Sequence, residues 1–166
     1  RYDTSVAATI VEAKWFYSAR NEKRTFHIRY RIREGITSYP DVSELYWKVI
    51  GEGWDKPTAA ATVTVRLPEP APRADDIRVY GHGPLSGWSE IVDAGTARFE
   101  ASNIPAGQFL EIRFCWPAGI VEGVPSTART FESIRAEEAG FVEETIARVE
   151  RARESSARSR RRLQTI

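Results

Sequence analysis

Between Thr9 and Trp116, apolar side chains recur at every second position in short runs that stop at glycine or proline. That period dictates extended chain with one buried face, not helix. The clearest run is Thr25 to Arg33, where Phe26, Ile28, Tyr30 and Ile32 alternate with His27, Arg29, Arg31 and Arg33. Before it, Thr9 to Tyr17 sets Val11, Ala13, Trp15 and Tyr17 on one face, and the polar stretch Ser18 to Lys23 predicts an antiparallel hairpin between the two. Ser43 to Ile50 opposes Leu45, Trp47 and Val49 to Glu44, Tyr46 and Lys48, and ends at Gly51-Glu52-Gly53, where glycine can supply positive φ. Ala59 to Leu67 alternates up to Pro68, which cannot donate to a continuing ladder. Shorter strands are predicted at Ile77 to Tyr80, Trp88 to Val92 and Thr96 to Ala101. A last one, Phe109 to Trp116, turns Leu110, Ile112, Phe114 and Trp116 inward. About eight turn-punctuated strands predict a mainly β fold, an antiparallel immunoglobulin-like β-sandwich.

From about Phe131 the period changes. Ala139, Val142, Ile146 and Val149 recur at steps of three and four, and Glu144 with Arg148 and Glu154 with Arg158 stand at helical pair spacing. Acids lie early and arginines late, as the helix dipole favours. The expected organisation is a β-sandwich domain over 1–125 and a charged C-terminal α-helix over 126–166.

Chemistry is sparse. A formal net charge of +1 gives no general attraction for nucleic acid or membrane. Cys115 is the single cysteine, which excludes an internal disulfide and reads as a small buried apolar side chain. Histidine occurs only at His27 and His82, neither at zinc-ligand spacing, so no metal and no cofactor is expected; His82 with Asp75 or Asp76 is where a metal site would be sought. Gly81-x-Gly83 leads into Pro84 and a strand, not a helix, so it is no phosphate-binding loop. Glu44, Glu52 and Asp55 cluster near Trp54 without an acid-base division of roles. Aromatic faces are the better binding candidates: Tyr39, Tyr46, Trp54, Tyr80 and Trp88, with Asp55 and His82 beside them. Arg158 and the run Arg160-Arg161-Arg162 make the tail a basic patch suited to a membrane-proximal position, without the aromatic platform that specific nucleic-acid recognition needs. No apolar run reaches the roughly 18 residues of a membrane span. A chain that starts at Arg1 and lacks methionine is expected to be a piece of a longer polypeptide.

Several stretches resemble the predicted bacterial membrane proteins grouped as domain of unknown function 2207. They are Thr25 to Arg33, Asp41-Val42-Ser43-Glu44-Leu45-Tyr46-Trp47, Gly53-Trp54-Asp55-Lys56-Pro57 with the valine-rich run to Leu67-Pro68, Gly81-His82-Gly83-Pro84-Leu85, and Ile104-Pro105-Ala106-Gly107. The resemblance spans most of Trp15 to Ala118 and carries no catalytic motif. It implies an export signal upstream, a domain on the extracytoplasmic side of the cell membrane, and a hydrophobic anchor soon after Ile166, with the family's earlier strands missing from this chain. Arginine-rich flanks usually stay cytoplasmic, so Arg160 to Arg162 stand in tension with that placement.

The function expected on these grounds is a non-enzymatic recognition or scaffold domain of a membrane-anchored protein. It would bind a protein, peptide or cell-envelope component through loops or an edge strand, and meet the lipid bilayer through an anchor outside the chain. One alternative is an enzyme acting on cell-wall glycans or peptides, in which Asp55, Glu52 or Asp75 would reach His82 in one cleft. Another is oligomerisation through Ala139, Val142, Ile146 and Val149.

Overall fold

The computed structural model describes residues 2–7 and 10–163. They fall into two compact units, Arg1–Ile32 and Arg33–Ile166. In the first, β1 (Tyr2–Ala7) and β2 (Ile10–Trp15) form an antiparallel hairpin with a register running from Tyr2 opposite Trp15 to Ala7 opposite Ile10. The partner of β2 therefore precedes it. Thr25 to Arg33, the expected partner, forms no strand: residues 22–32 run without a ladder, and Phe26, Ile28, Tyr30 and Ile32 are exposed, Tyr30 by 70%. Alternation supplies a face to bury, but an extended segment becomes a strand only where a neighbour takes up its N–H and C=O groups. Side chains of Val11, Ala13 and Trp15 lie outside the described residues; Tyr17, grouped with them by sequence, is exposed and meets the Phe26 ring edge-on at 4.9 Å.

The second unit contains β3 (Thr37–Ser38), β4 (Val42–Ile50), β5 (Thr58–Arg66), β6 (Arg78–His82), β7 (Trp88–Asp93), β8 (Thr96–Ile104), β9 (Leu110–Pro117) and β10 (Val124–Pro125), then α1 (Phe131–Leu163). One sheet has the order β10-β3-β4-β9-β6 and the other β5-β8-β7. Pairing is antiparallel except between β10 and β3. This unit is thus mainly β, two sheets and one C-terminal helix.

The core lies between the sheets. Ile112, Phe114 and Trp116 of β9 pack with Ala97 and Phe99 of β8, and Leu45, Trp47, Val63 and Val65 close around them. Leu45, Trp47, Ile112, Phe114 and Trp116 are side chains that the alternation turned inward, whereas Val49, grouped with Leu45 and Trp47 by sequence, is 39% exposed where the register shifts between Lys48 and Ile50. The proline-rich strap after β5 is pinned across the β7–β8 turn by Leu67 N–H to Gly95 O at 2.8 Å and Ala71 N–H to Ala94 O at 2.9 Å, which buries Ala71.

Among the glycines, positive φ falls on Gly83, Gly107 and Gly119, not on Gly51 or Gly53. Gly83 is where glycine is indispensable: at φ +129°, a Cβ would stand 2.3 Å from the Phe109 carbonyl oxygen. Gly83 therefore serves close backbone approach to the start of β9, whereas a Cβ at Gly81 would meet only the Phe99 side chain at 3.9 Å. Gly83→Ala is expected to destabilise the fold by about 2–3 kcal/mol, since strain and a backbone shift combine; thermal unfolding followed by circular dichroism measures it, and an unchanged midpoint would show the loop relaxing freely.

α1 starts where side chains satisfy its orphan amides. Thr130 and Ser133 cap reciprocally, Ser133 N–H to Thr130 Oγ1 at 3.3 Å and Thr130 N–H to Ser133 Oγ at 2.9 Å. From the loop before β4, the Asp41 carboxylate accepts the Phe131 N–H at 3.1 Å, placing negative charge at the helix's positive end. Its first turns then lie on the outer face of the larger sheet, where Ile134 packs with Tyr39, Val42 and Cys115.

Candidate functional site

That outer face is where polar chemistry concentrates. Register lays three rows across β4, β9 and β6: Glu44, Cys115 and Arg78; Tyr46, Arg113 and Tyr80; Lys48, Glu111 and His82. At the centre, Arg113 is completely buried. Its Nε donates to Glu44 Oε2 at 2.6 Å, and its Nη1 donates to Glu138 Oε1 at 2.6 Å and Glu137 Oε2 at 2.7 Å. Its guanidinium carbon stands 4.4 Å from the Tyr46 ring centroid, a cation–π contact. One arginine therefore ties β4 to α1 through three carboxylates.

A second tier surrounds it. Tyr39 donates its hydroxyl to Glu44 Oε1 at 2.8 Å, and Arg129 pairs with Glu137. His82 Nε2 lies 3.3 Å from Glu138 Oε2, within ion-pair range but without hydrogen-bond geometry, and the imidazole packs against the Phe141 and Tyr46 rings. Among the described residues, His82 Nε2, Arg113 Nη2 and Trp116 Nε1 are the buried side-chain atoms left without a hydrogen-bond partner.

Electrostatics follow the burial. Desolvation would lower the Arg113 pKa, but its bonds to Glu44, Glu137 and Glu138 raise it, so the guanidinium stays charged. The Arg129 guanidinium, opposed by partial burial and aided by Arg113, holds the Glu137 carboxyl below its usual value. Burial, helped by Glu44, pushes Tyr39 up to about 12; burial, helped by Glu111, does the same to Tyr46; and burial takes the Cys115 thiol to about 12. These three groups hold protons in the folded state that the unfolded chain sheds from its ordinary values of 9.0 and 10.0 upward. Their contribution to stability is complete below those values and is lost as pH rises towards 12. The urea midpoint is expected to fall between about pH 8 and about pH 11, with two tyrosines ionising late in absorbance near 295 nm. A flat midpoint would mean that water reaches the cluster.

The residues picked from sequence are divided by the fold. Tyr39, Tyr46, Tyr80 and His82 gather around Arg113, with Tyr39 buried rather than offered to solvent. Trp54 and Asp55 lie exposed in the β4–β5 loop, and Trp88 is exposed on β7 in the other sheet. The carboxylate beside His82 is Glu138, whereas Glu52 is paired with Lys48, Asp55 with Lys56 and Asp75 with Arg73. Arg158 and Arg160 are exposed on α1; the side chains of Arg161 and Arg162 lie outside the described residues. Sequence reasoning missed Arg113, Glu44, Glu137 and Glu138 as a unit. The available signal was Cys115, an apolar residue on the face of β9 that alternation turned outward, which marks that face as covered too.

Geometrically, then, the larger unit is a two-sheet β domain whose C-terminal helix is clamped onto one sheet by buried ion pairs. Residues 2–116 match the family model described as the N-terminal domain of a predicted membrane protein, DUF2207, and the chain belongs to that family. No curated protein and no solved structure gave a match. Among the described residues, no helix is long and apolar enough to cross a membrane, and no group of three or more acidic, histidine or cysteine residues is placed to hold a metal ion.

Proposed function

We propose that this chain is an extracytoplasmic, non-enzymatic recognition or scaffold domain of a membrane-anchored bacterial protein, an immunoglobulin-like sandwich that takes a protein, peptide or cell-envelope component along a sheet edge. The observation that carries the reading is the edge of β5, which pairs with no second strand among the described residues. This nine-residue strand ends its sheet, and Ala59 to Val65 contain no charge, proline or glycine. Natural edges are usually blunted by such residues, and an unblunted one offers backbone donors and acceptors to an added strand. The dense polar cluster around Arg113 supports the non-enzymatic part, because its carboxylates Glu44, Glu137 and Glu138 are all engaged by arginine.

Two measurements test it. In intact cells making the full-length protein, a photo-crosslinking side chain at Thr64 is expected to capture a defined neighbour that one at Glu69 does not, and Thr62→Lys is expected to abolish the capture; indiscriminate or absent crosslinks oppose the reading. For sidedness, Cys115 is buried and silent, so Glu69→Cys on its exposed loop reports for this domain against the same protein without the substitution. Labelling of intact cells by a membrane-impermeant maleimide is expected, and labelling only after lysis would overturn the exterior placement.

A further inference from the structure

Charge is segregated along this molecule. From Arg148 to Arg162 the chain holds seven arginines against Glu150 and Glu154, a net of +5 within a total of +1, which leaves −4 on the remainder. α1 carries this stretch away from its docked first turns: Ile134 and Glu138 are buried, whereas residues 150–158 are exposed. Among the described residues, Arg158 pairs with Glu154 at 3.6 Å, whereas Arg148, Arg151, Arg153 and Arg160 have no ion pair or hydrogen bond. Successive steps of about 100° distribute these guanidinium groups around the helix as a collar instead of along one face.

We infer that the distal part of α1 is a cationic collar that binds anionic lipid headgroups at a membrane surface. The complementary charge is what the unpaired arginines lack, and the family is one of predicted membrane proteins. A second copy of the helix fits less well. Arg153 and Arg160 continue the stripe of Val142, Ile146 and Val149, so a two-helix seam would set guanidinium against guanidinium. Nucleic acid also fits less well, because no aromatic residue follows Phe141 to stack on bases. The inference is independent of the β5 reading, since each concerns a different surface and a different measurement.

The test is flotation of the purified chain with vesicles of phosphatidylcholine alone or with about 30% phosphatidylglycerol, at about 0.15 M and about 0.5 M salt. Binding to the anionic vesicles only, lost at high salt, is expected. The triple variant Arg153→Glu, Arg158→Glu, Arg160→Glu is expected to bind roughly a hundredfold more weakly with an unchanged circular dichroism spectrum, because all three side chains are exposed. Equal binding to neutral vesicles, full binding by the triple variant, or tighter binding to a single-stranded oligonucleotide than to the anionic vesicles at the lower salt would each overturn the inference.

Discussion

Replacing Arg113 with methionine is expected to lower the unfolding free energy by about 3–5 kcal/mol, the range for removing one member of a buried ion pair. The cost comes from what is left behind: Glu44 and Glu138, 5% and 4% exposed, would lose the guanidinium that both bond to and that ties β4 to α1. Urea denaturation measures the loss. If uncompensated carboxylates are the cause, adding Glu44→Gln and Glu138→Gln to Arg113→Met should return much of the stability, because neutral amides cost far less to bury than unpaired charges. A single substitution costing under about 1 kcal/mol would show that water solvates the clamp.

The other large effect belongs to the core between the sheets. Phe114 is fully buried, stands 5.4 Å ring to ring from Trp116, and has Leu45 and Val79 opposite it on the neighbouring strands. Phe114→Ala removes a ring from the place where both sheets meet and is expected to cost about 3–5 kcal/mol, by lost transfer energy and by the cavity that remains. Tyr30→Ala gives the contrast. By sequence pattern Tyr30 is as inward-facing as Phe114, yet it is 70% exposed, so its removal should stay within about 0.5 kcal/mol. A comparable loss at both positions, read from the same urea curves, would put Tyr30 back into a buried strand.

That contrast also shows how far the sequence could be read. From Ser43 onward the alternating runs correspond to β4 through β9 within a residue or few at each end, and the switch of period at Phe131 coincides with the start of α1. Two-residue β3 and β10 are too short to carry a period. Of the binding residues chosen for their chemistry, Tyr46, Tyr80 and His82 converge on one face, whereas Trp54 and Trp88 go elsewhere, because side-chain type says nothing of which strands become neighbours. Arg113 was invisible as a site for the same reason. A charged residue at an outward position is ordinary until another layer covers it.

Alternation, turn residues and the change to a helical period determined on their own that this would be a β domain with one trailing helix, since these are local properties of the backbone and of side-chain spacing. Tertiary structure alone decided that Thr25 to Arg33 finds no ladder and that α1 closes over β9. Pairing and burial depend on which distant surface arrives, and that arrival turned an arginine on a strand's outer face into the buried charge that holds helix and sheet together.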